Sequence, residues 1–326
     1  MVTPRGVLEA LADRLGPLAR RDEPLGAGTT YRVGGRAALW VEAEDDDALS
    51  AVHGALAALG ASVPVLVVGN GSNLLVADAG FPGLALALGA AYDLADIDHS
   101  PVRAGGAVAL PVLARKTAAA GLRGLEWAVG VPGSVGGALR MNAGGHGSDT
   151  AHVLAGYRLF DLRTGAFTQH AAADFAGAYR RSSLGPAHVG IGAEFALQRG
   201  DAEEAKALVS EIVRWRREHQ PGGSNAGSVF TNPVGAAAAE LVERCGLKGL
   251  RLGSAQVSQK HANFIQADEG GSADDVRRLV DLVRFEVARQ TGVELAPELH
   301  MVGFADSPAL LVEAAGEPST SSGGRG

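Results

Sequence analysis

Val63-Pro-Val-Leu-Val-Val68 runs straight into Gly69-Asn-Gly-Ser-Asn73 and on into Leu74-Leu-Val76. Six apolar residues in succession read as a strand buried on both faces, and the glycines and asparagines that follow break it. A turn coming off such a strand presents backbone N–H groups at the strand's end, where an anion can be held. The second segment of this kind is Gly130-Val-Pro-Gly-Ser-Val-Gly-Gly137, continued by Ala-Leu-Arg-Met-Asn-Ala-Gly144. It is too long and too apolar for a surface turn. Neither segment is a GxGxxG fingerprint, and no GxxxxGK[ST] occurs. Each alone reads equally well as an ordinary turn. Together they predict two loops that clamp one diphosphate, and hence a dinucleotide cofactor held without a Rossmann motif.

Outward from these loops the chain divides. Leu8, Leu11 and Leu15 recur at helical spacing, Ala38 to Val41 reads as a strand, and Asp46 is placed to cap a helix burying Leu49, Val52, Leu56 and Leu59. With strands at Leu74–Val76 and Leu84–Leu88, this first stretch alternates α and β. Residues 102–196 are mixed: a helix from Pro111 to Gly121, then a hairpin turning at Arg163-Thr-Gly165. Asp201-Ala-Glu-Glu204 is a capping box for a helix carrying Leu208, Ile212 and Trp215, which is taken to open a third region. That region's other helices are expected over Ala236–Cys245 and Ser272–Gln290.

Composition removes several function classes. The 326 residues carry a formal charge of −7, which gives no bulk signal for nucleic acid or an anionic membrane. The 46 glycines fall in short clusters, without the period of collagen or the block of a linker. A lone Cys245 excludes a disulfide framework within the chain and a cysteine zinc site. No signal peptide is read at the N-terminus, and no run approaches the ~18 apolar residues of a membrane span. A cytoplasmic protein without nucleic-acid or membrane partners is expected.

The order of motifs is specific. Thr29-Thr-Tyr-Arg-Val-Gly-Gly35, the Gly69 and Gly130 segments, Met141-Asn-Ala-Gly144, Tyr179-Arg-Arg-Ser182, Asn225-Ala-Gly-Ser-Val-Phe-Thr-Asn-Pro233, Ala255-Gln-Val-Ser-Gln-Lys-His-Ala-Asn-Phe264 and Pro297-Glu298 closely resemble the UDP-N-acetylenolpyruvoylglucosamine reductase family. The resemblance runs from about Leu25 to Gly303. It implies an α+β fold, with a two-part FAD-binding fold of the vanillyl-alcohol-oxidase (PCMH) type over residues 1–90 and 91–200. A C-terminal α/β substrate-binding domain would span 201–305, and 306–326 reads as a disordered tail. The family's members are cytoplasmic flavoenzymes of peptidoglycan precursor synthesis. They reduce UDP-N-acetylglucosamine enolpyruvate to UDP-N-acetylmuramate, with FAD as cofactor and NADPH as co-substrate. A monomer without a metal is expected.

Residue by residue, the resemblance places Gly69, Asn70, Gly71, Ser72, Asn73, Leu74, Gly130, Pro132, Gly133, Ser134, Gly136, Gly137, Asn142, Ala143 and Gly144 at the cofactor. Arg180 matches the guanidinium that stabilises the enolate carboxylate, a task suited to a fixed charge with two N–H donors. Ser228 matches the proton donor to the α-carbon, although alone it reads as a turn serine. Glu298 matches the assisting carboxyl group, although alone it reads as an ion-paired residue on an edge strand. Tyr179, Asn232, Lys260, His261 and Asn263 match substrate contacts, with His261 equally readable as a satisfied histidine. Arg140 and His146 receive no defined role.

The chain departs from the common pattern at Thr231, Ser254 and His300, which bears on affinity rather than reaction. Arg180 and Ser228 lie 48 positions apart with no tyrosine between them, which reads as the family's shorter subtype. The alternatives are an FAD-dependent oxidase or dehydrogenase of the same flavin fold, and a catalytically silent flavin- or nucleotide-binding protein.

Overall fold

The computed structural model describes residues 4–305 and 311–312. Its first region forms one sheet with β1 (Ala19–Glu23), β2 (Ala37–Ala43), β5 (Phe81–Leu88) and β3 (Val63–Val68) in that order. β2, β5 and β3 run parallel, so their carboxyl ends lie on one edge. Parallel strands covered on both faces need continuous apolar runs, and that is what the β3 sequence supplies. Helices α1 (Pro4–Leu15) and α2 (Asp46–Ala57) cover one face, where Leu11, Leu49, Val52, Val65 and Leu84 are buried. The cap of α2 falls one residue before the expected position. Asp45 accepts from Ala48 N, while Asp46 accepts from the Tyr92 hydroxyl at 2.7 Å.

The second region is a wholly antiparallel sheet in the order 166–171, 154–161, 188–195, 102–105, 95–96. The expected hairpin joins its first two strands. Phe160, Val189 and Ile191 from this sheet lie in the core of the first region, so the two regions are packed as one body. Helices α3 (Leu110–Ala119) and α4 (Val135–Met141) flank it, followed by the short α5 (Thr150–Val153).

Helix α6 (Ala202–His219) departs from the reading made of it. It buries Ala205, Val209 and Ile212 in the same core as Leu113, Trp127 and Phe195. By packing it belongs with the middle region, not the third, and Trp215 is 42% exposed instead of buried. A capping box marks where a helix starts but carries no information on which sheet receives its apolar face.

The third region holds α7 (Ala238–Arg244), α8 (Ala273–Thr291) and a small antiparallel sheet of residues 251–252, 255–257 and 265–267. Several contacts dock it. His300–Val302 pair in parallel with β4 (Leu74–Val76), the segment that follows the first glycine loop. Asp78 accepts from Ala273 N and Asp274 N, satisfying donors at the start of α8 from another region. Tyr31, Val33 and Leu75 complete the third core. Of the expected tail, Leu311–Val312 pair antiparallel with Val63–Pro64 and so form an edge strand of the first sheet; the remainder lies outside the described residues.

Close backbone packing explains one glycine that had been assigned to the cofactor. A Cβ on Gly136 would lie 2.6 Å from Gly190 O, so α4 can press onto the second sheet only with glycine there. Gly54, in the middle of α2, has nothing within 4 Å of the same position. Gly136→Ala is therefore expected to destabilise the fold by about 1–3 kcal/mol through forced backbone movement. Gly54→Ala is expected to stabilise it by about 0.5–1 kcal/mol through lower unfolded-state entropy. Urea unfolding midpoints on the two variants check the pair, and equal shifts would refute the packing argument.

Candidate active site

The three regions meet around a cavity of about 750 Å³. Its floor is the carboxyl edge of the parallel strands, with Val65–Leu74 and Ala87–Ala90, the usual place for a ligand on an open α/β sheet. Gly130–Ser134, Gly136–Ala138, Arg140, Met141, Ala143 and Gly144 form one wall. Arg180, Arg216, Gln220, Ser228, Glu298 and His300 close the other. A second cavity of about 610 Å³, between Asp46, Tyr92 and Arg158, contains none of the expected site residues.

The two glycine loops touch. A Cβ on Gly69 would come within 2.6 Å of Ser134 Oγ, and Asn70 Nδ2 donates to Pro132 O at 3.4 Å. Their donors are used differently. The N–H groups of Val135, Gly136 and Gly137 are taken by Val108 O, Gly106 O and Ser134 Oγ. Those of Asn70, Gly71, Ser72 and Asn73 have no acceptor among the described residues. Free donors therefore come from both loops, since Gly133 N and Ser134 N also have no acceptor among the described residues. Gly71 and Gly144 are also held by packing, since a Cβ would meet Thr29 Cα at 2.9 Å and Asp149 Cβ at 2.5 Å respectively.

Two cations complete the anion cradle. Arg140 and Arg216 line the cavity, and neither guanidinium has a carboxylate or hydrogen-bond partner among the described residues. Burial depresses the pKa of both. A half-buried guanidinium left unpaired is costly unless a ligand supplies the anion. Free backbone donors and two unpaired cations around a cavity of this size fit a dinucleotide diphosphate such as that of FAD. Arg216 was missed in the sequence, yet a signal existed: it lies four residues after Ile212, on the buried face of α6.

The catalytic candidates converge. Arg180 Nε lies 3.0 Å from Glu298 Oε1, with the side chains 25% and 16% exposed. Arg180 sits at the tip of the hairpin formed by residues 177–178 and 181–182, in the left-handed region at φ +57°. Such a conformation in a non-glycine residue is a local cost that the surrounding structure must sustain. Its neighbour Arg181 is exposed. Glu298 N donates to Val229 O at 2.8 Å, which brings the residue after Ser228 against the Glu298 segment. Burial raises the Glu298 pKa, and Arg180 acts against that rise. His300 opens onto the same cavity, with its pKa lowered by burial and then by Arg140.

Other expected contacts lie outside the cavity lining. Asn142 is buried and bonded to Asp149, Ala151 and Ala178, so its amide is committed within the protein. Asn263 is likewise buried and pairs with the backbone of Phe230 through both amide ends. Asn232 accepts from Ala238 N at the start of α7. His261 accepts from Asn263 N, and Lys260 Nζ donates to Arg217 O at 2.6 Å, just beyond the cavity rim. Tyr179 is 57% exposed, with the Arg180 guanidinium over its ring. A motif identifies a segment, but within it only the fold decides which polar atoms face a ligand and which satisfy the backbone.

Comparison with known proteins agrees with this architecture. Residues 219–302 match the profile of the UDP-N-acetylenolpyruvoylglucosamine reductase C-terminal domain, and residues 37–169 match an FAD binding domain. The chain is 40% identical over 298 residues to a UDP-N-acetylenolpyruvoylglucosamine reductase from Rubrobacter xylanophilus, covering 89% of this chain and 97% of that one. It is 42% identical over 295 residues to one from Synechococcus, covering 87% and 93%. A crystal structure of the Thermus caldophilus enzyme superposes with a TM-score of 0.76 at 33% identity, over 87% of this chain and 99% of that one.

The fold favours the neutral form of Glu298, so this carboxyl contributes stability below its ordinary value of 4.5 that is lost as pH rises through its midpoint in the fold. In an NMR titration of labelled glutamates, Glu298 should titrate above the exposed ones. Arg180→Gln should raise it further. A midpoint at or below the exposed set would show that Arg180, and not burial, controls this group.

Proposed function

The chain belongs to the UDP-N-acetylenolpyruvoylglucosamine reductase family, and on that premise we propose that Arg180, Ser228 and Glu298 carry its reaction. The protein is an FAD-containing oxidoreductase of peptidoglycan precursor synthesis, reducing UDP-N-acetylglucosamine enolpyruvate to UDP-N-acetylmuramate. NADPH is the co-substrate. The observation that carries the residue assignment is the Arg180–Glu298 pair in the cavity wall, with Ser228 one residue from the backbone bonded to Glu298.

The hydride relay from NADPH to the enolpyruvyl double bond is the chemistry that FAD supplies when bound. The unpaired Arg140 and Arg216 and the free N–H groups of residues 70–73 would hold its diphosphate. Arg180 binds the substrate carboxylate, where negative charge grows as hydride reaches the terminal carbon. Ser228 Oγ delivers the proton to the α-carbon. A serine hydroxyl is a weak acid, so its place in the cavity wall and the neighbouring Glu298 carboxyl must lower the cost of releasing the proton. Lys260, beside the rim, is placed to meet the substrate diphosphate once its side chain leaves the Arg217 carbonyl. No helix among the described residues is long and apolar enough to cross a membrane. From the family's place in precursor synthesis we assign the protein to the cytoplasm, as a monomer.

Purified protein should be yellow, bleach with NADPH without oxygen, and regain the oxidised spectrum when the enolpyruvyl sugar nucleotide is added. Ser228→Ala should leave bleaching intact and slow reoxidation by substrate about 10²–10⁴-fold. An equal loss in both half-reactions would remove the proton-donor role. Reoxidation by oxygen but never by the enolpyruvyl compound would favour an oxidase of the same fold.

A further inference from the structure

Each glycine-rich segment carries an asparagine whose amide is directed at the protein. Asn73, in the first loop, donates from Nδ2 to Glu298 O at 2.9 Å, and its own carbonyl accepts from His300 N at 3.1 Å. It thus grips the backbone on both sides of Leu299, immediately beside the pairing of His300–Val302 with β4. Asn142, at the carboxyl end of α4, is 2% exposed and held at φ +42°. Its Oδ1 accepts from Ala151 N at 3.0 Å, and its Nδ2 donates to Asp149 Oδ2 at 3.2 Å and to Ala178 O at 3.1 Å. Ala178 is two residues before Arg180, in the first strand of the hairpin that presents it. The second strand is tied to the same helix by Ser182 Oγ donating to Arg140 O at 2.8 Å.

We propose that Asn73 and Asn142 are positioning residues that suspend the Arg180–Glu298 pair from the two diphosphate loops. The inference rests on the catalytic reading of that pair given above. At 142 the amide accepts through Oδ1 and donates twice through Nδ2, and asparagine tolerates the left-handed backbone there better than most residues with a side chain; at 73 the amide donates while the backbone carbonyl accepts. Each loop therefore has two outputs: backbone around the diphosphate on one side and one partner of the ion pair on the other. Displacing either loop displaces the group that must meet the substrate carboxylate.

The test uses FAD-loaded Asn73→Ala and Asn142→Gly, the glycine keeping the left-handed backbone accessible. In Asn142→Gly, whose amide is committed within the protein, flavin content and anaerobic bleaching by NADPH should match the parent. Reoxidation by the enolpyruvyl sugar nucleotide should fall about 10–100-fold, the scale of a small misplacement of a reacting group. The Glu298 carboxyl titration gives a readout independent of turnover, with opposite signs in the two variants. Asn142→Gly lets Arg180 withdraw and should raise the midpoint. Asn73→Ala frays the Glu298 segment, admits water and should lower it. Loss of FAD from both variants would make these residues cofactor ligands and overturn the proposal, as would an unmoved carboxyl midpoint with normal reoxidation. If Asn142→Gly does not fold, Ser182→Ala releases the second strand of the hairpin from Arg140 O and should raise the midpoint in the same direction. A parent protein that the enolpyruvyl compound never reoxidises would sink the functional reading, while the carboxyl titrations would still decide the positioning role.

Discussion

The contact on which the site depends is the 3.0 Å pair between Arg180 and Glu298, because its partners come from different regions of the chain. Arg180 rides on a hairpin of the second region, and Glu298 on a segment running along the first glycine loop. Removing two charges from water is favourable only when their geometry is good. The docking of the third region therefore has to be accurate. β4 supplies that accuracy by pairing in parallel with His300–Val302, and Asp78 reinforces it by satisfying the start of α8. Burial on the Glu298 side and charge on the Arg180 side then pull the carboxyl in opposite directions, with burial the larger influence.

Glycine serves two physical purposes here that composition cannot separate. Some glycines leave backbone donors open to a ligand, as in residues 70–73. Others let one backbone reach another, as where Gly136 meets Gly190 and Gly106. The second purpose supports the first, since α4 must lie flat on its sheet before the two loops can touch through Gly69 and Ser134. Positive charge is added by arginines from two further elements. None of the four lysines contributes to the cavity wall.

Much of the fold was legible because the signals were local. The apolar run of β3, the proline and glycine bounding α3, the serine opening α8 and the turn at Gly165 each act within a few residues of themselves. The failures were long-range. α6 was read as opening the third region because its cap and apolar stripe say nothing about which core receives Val209 and Ile212. Asn142, Asn232 and Asn263 were read as ligand contacts because they stand in a motif, whereas their amides satisfy buried or terminal backbone groups. An unsatisfied backbone donor is visible only after folding, so the need that these side chains meet is invisible in the sequence.

The sequence by itself determined the family and the flavin-fold architecture, and it set out in order the two glycine loops and the three residues proposed for cofactor and reaction. These follow from ordered motifs and short-range periodicity, which are properties of the linear chain. Only the tertiary structure decided that Arg180 and Glu298 are paired, which N–H groups of the two loops are left free, that Arg140 and Arg216 stand unpaired in the cavity, and that α6 belongs to the middle core. Each of these depends on which groups lose water together. That is set by contacts between residues far apart in sequence, and no local pattern encodes it.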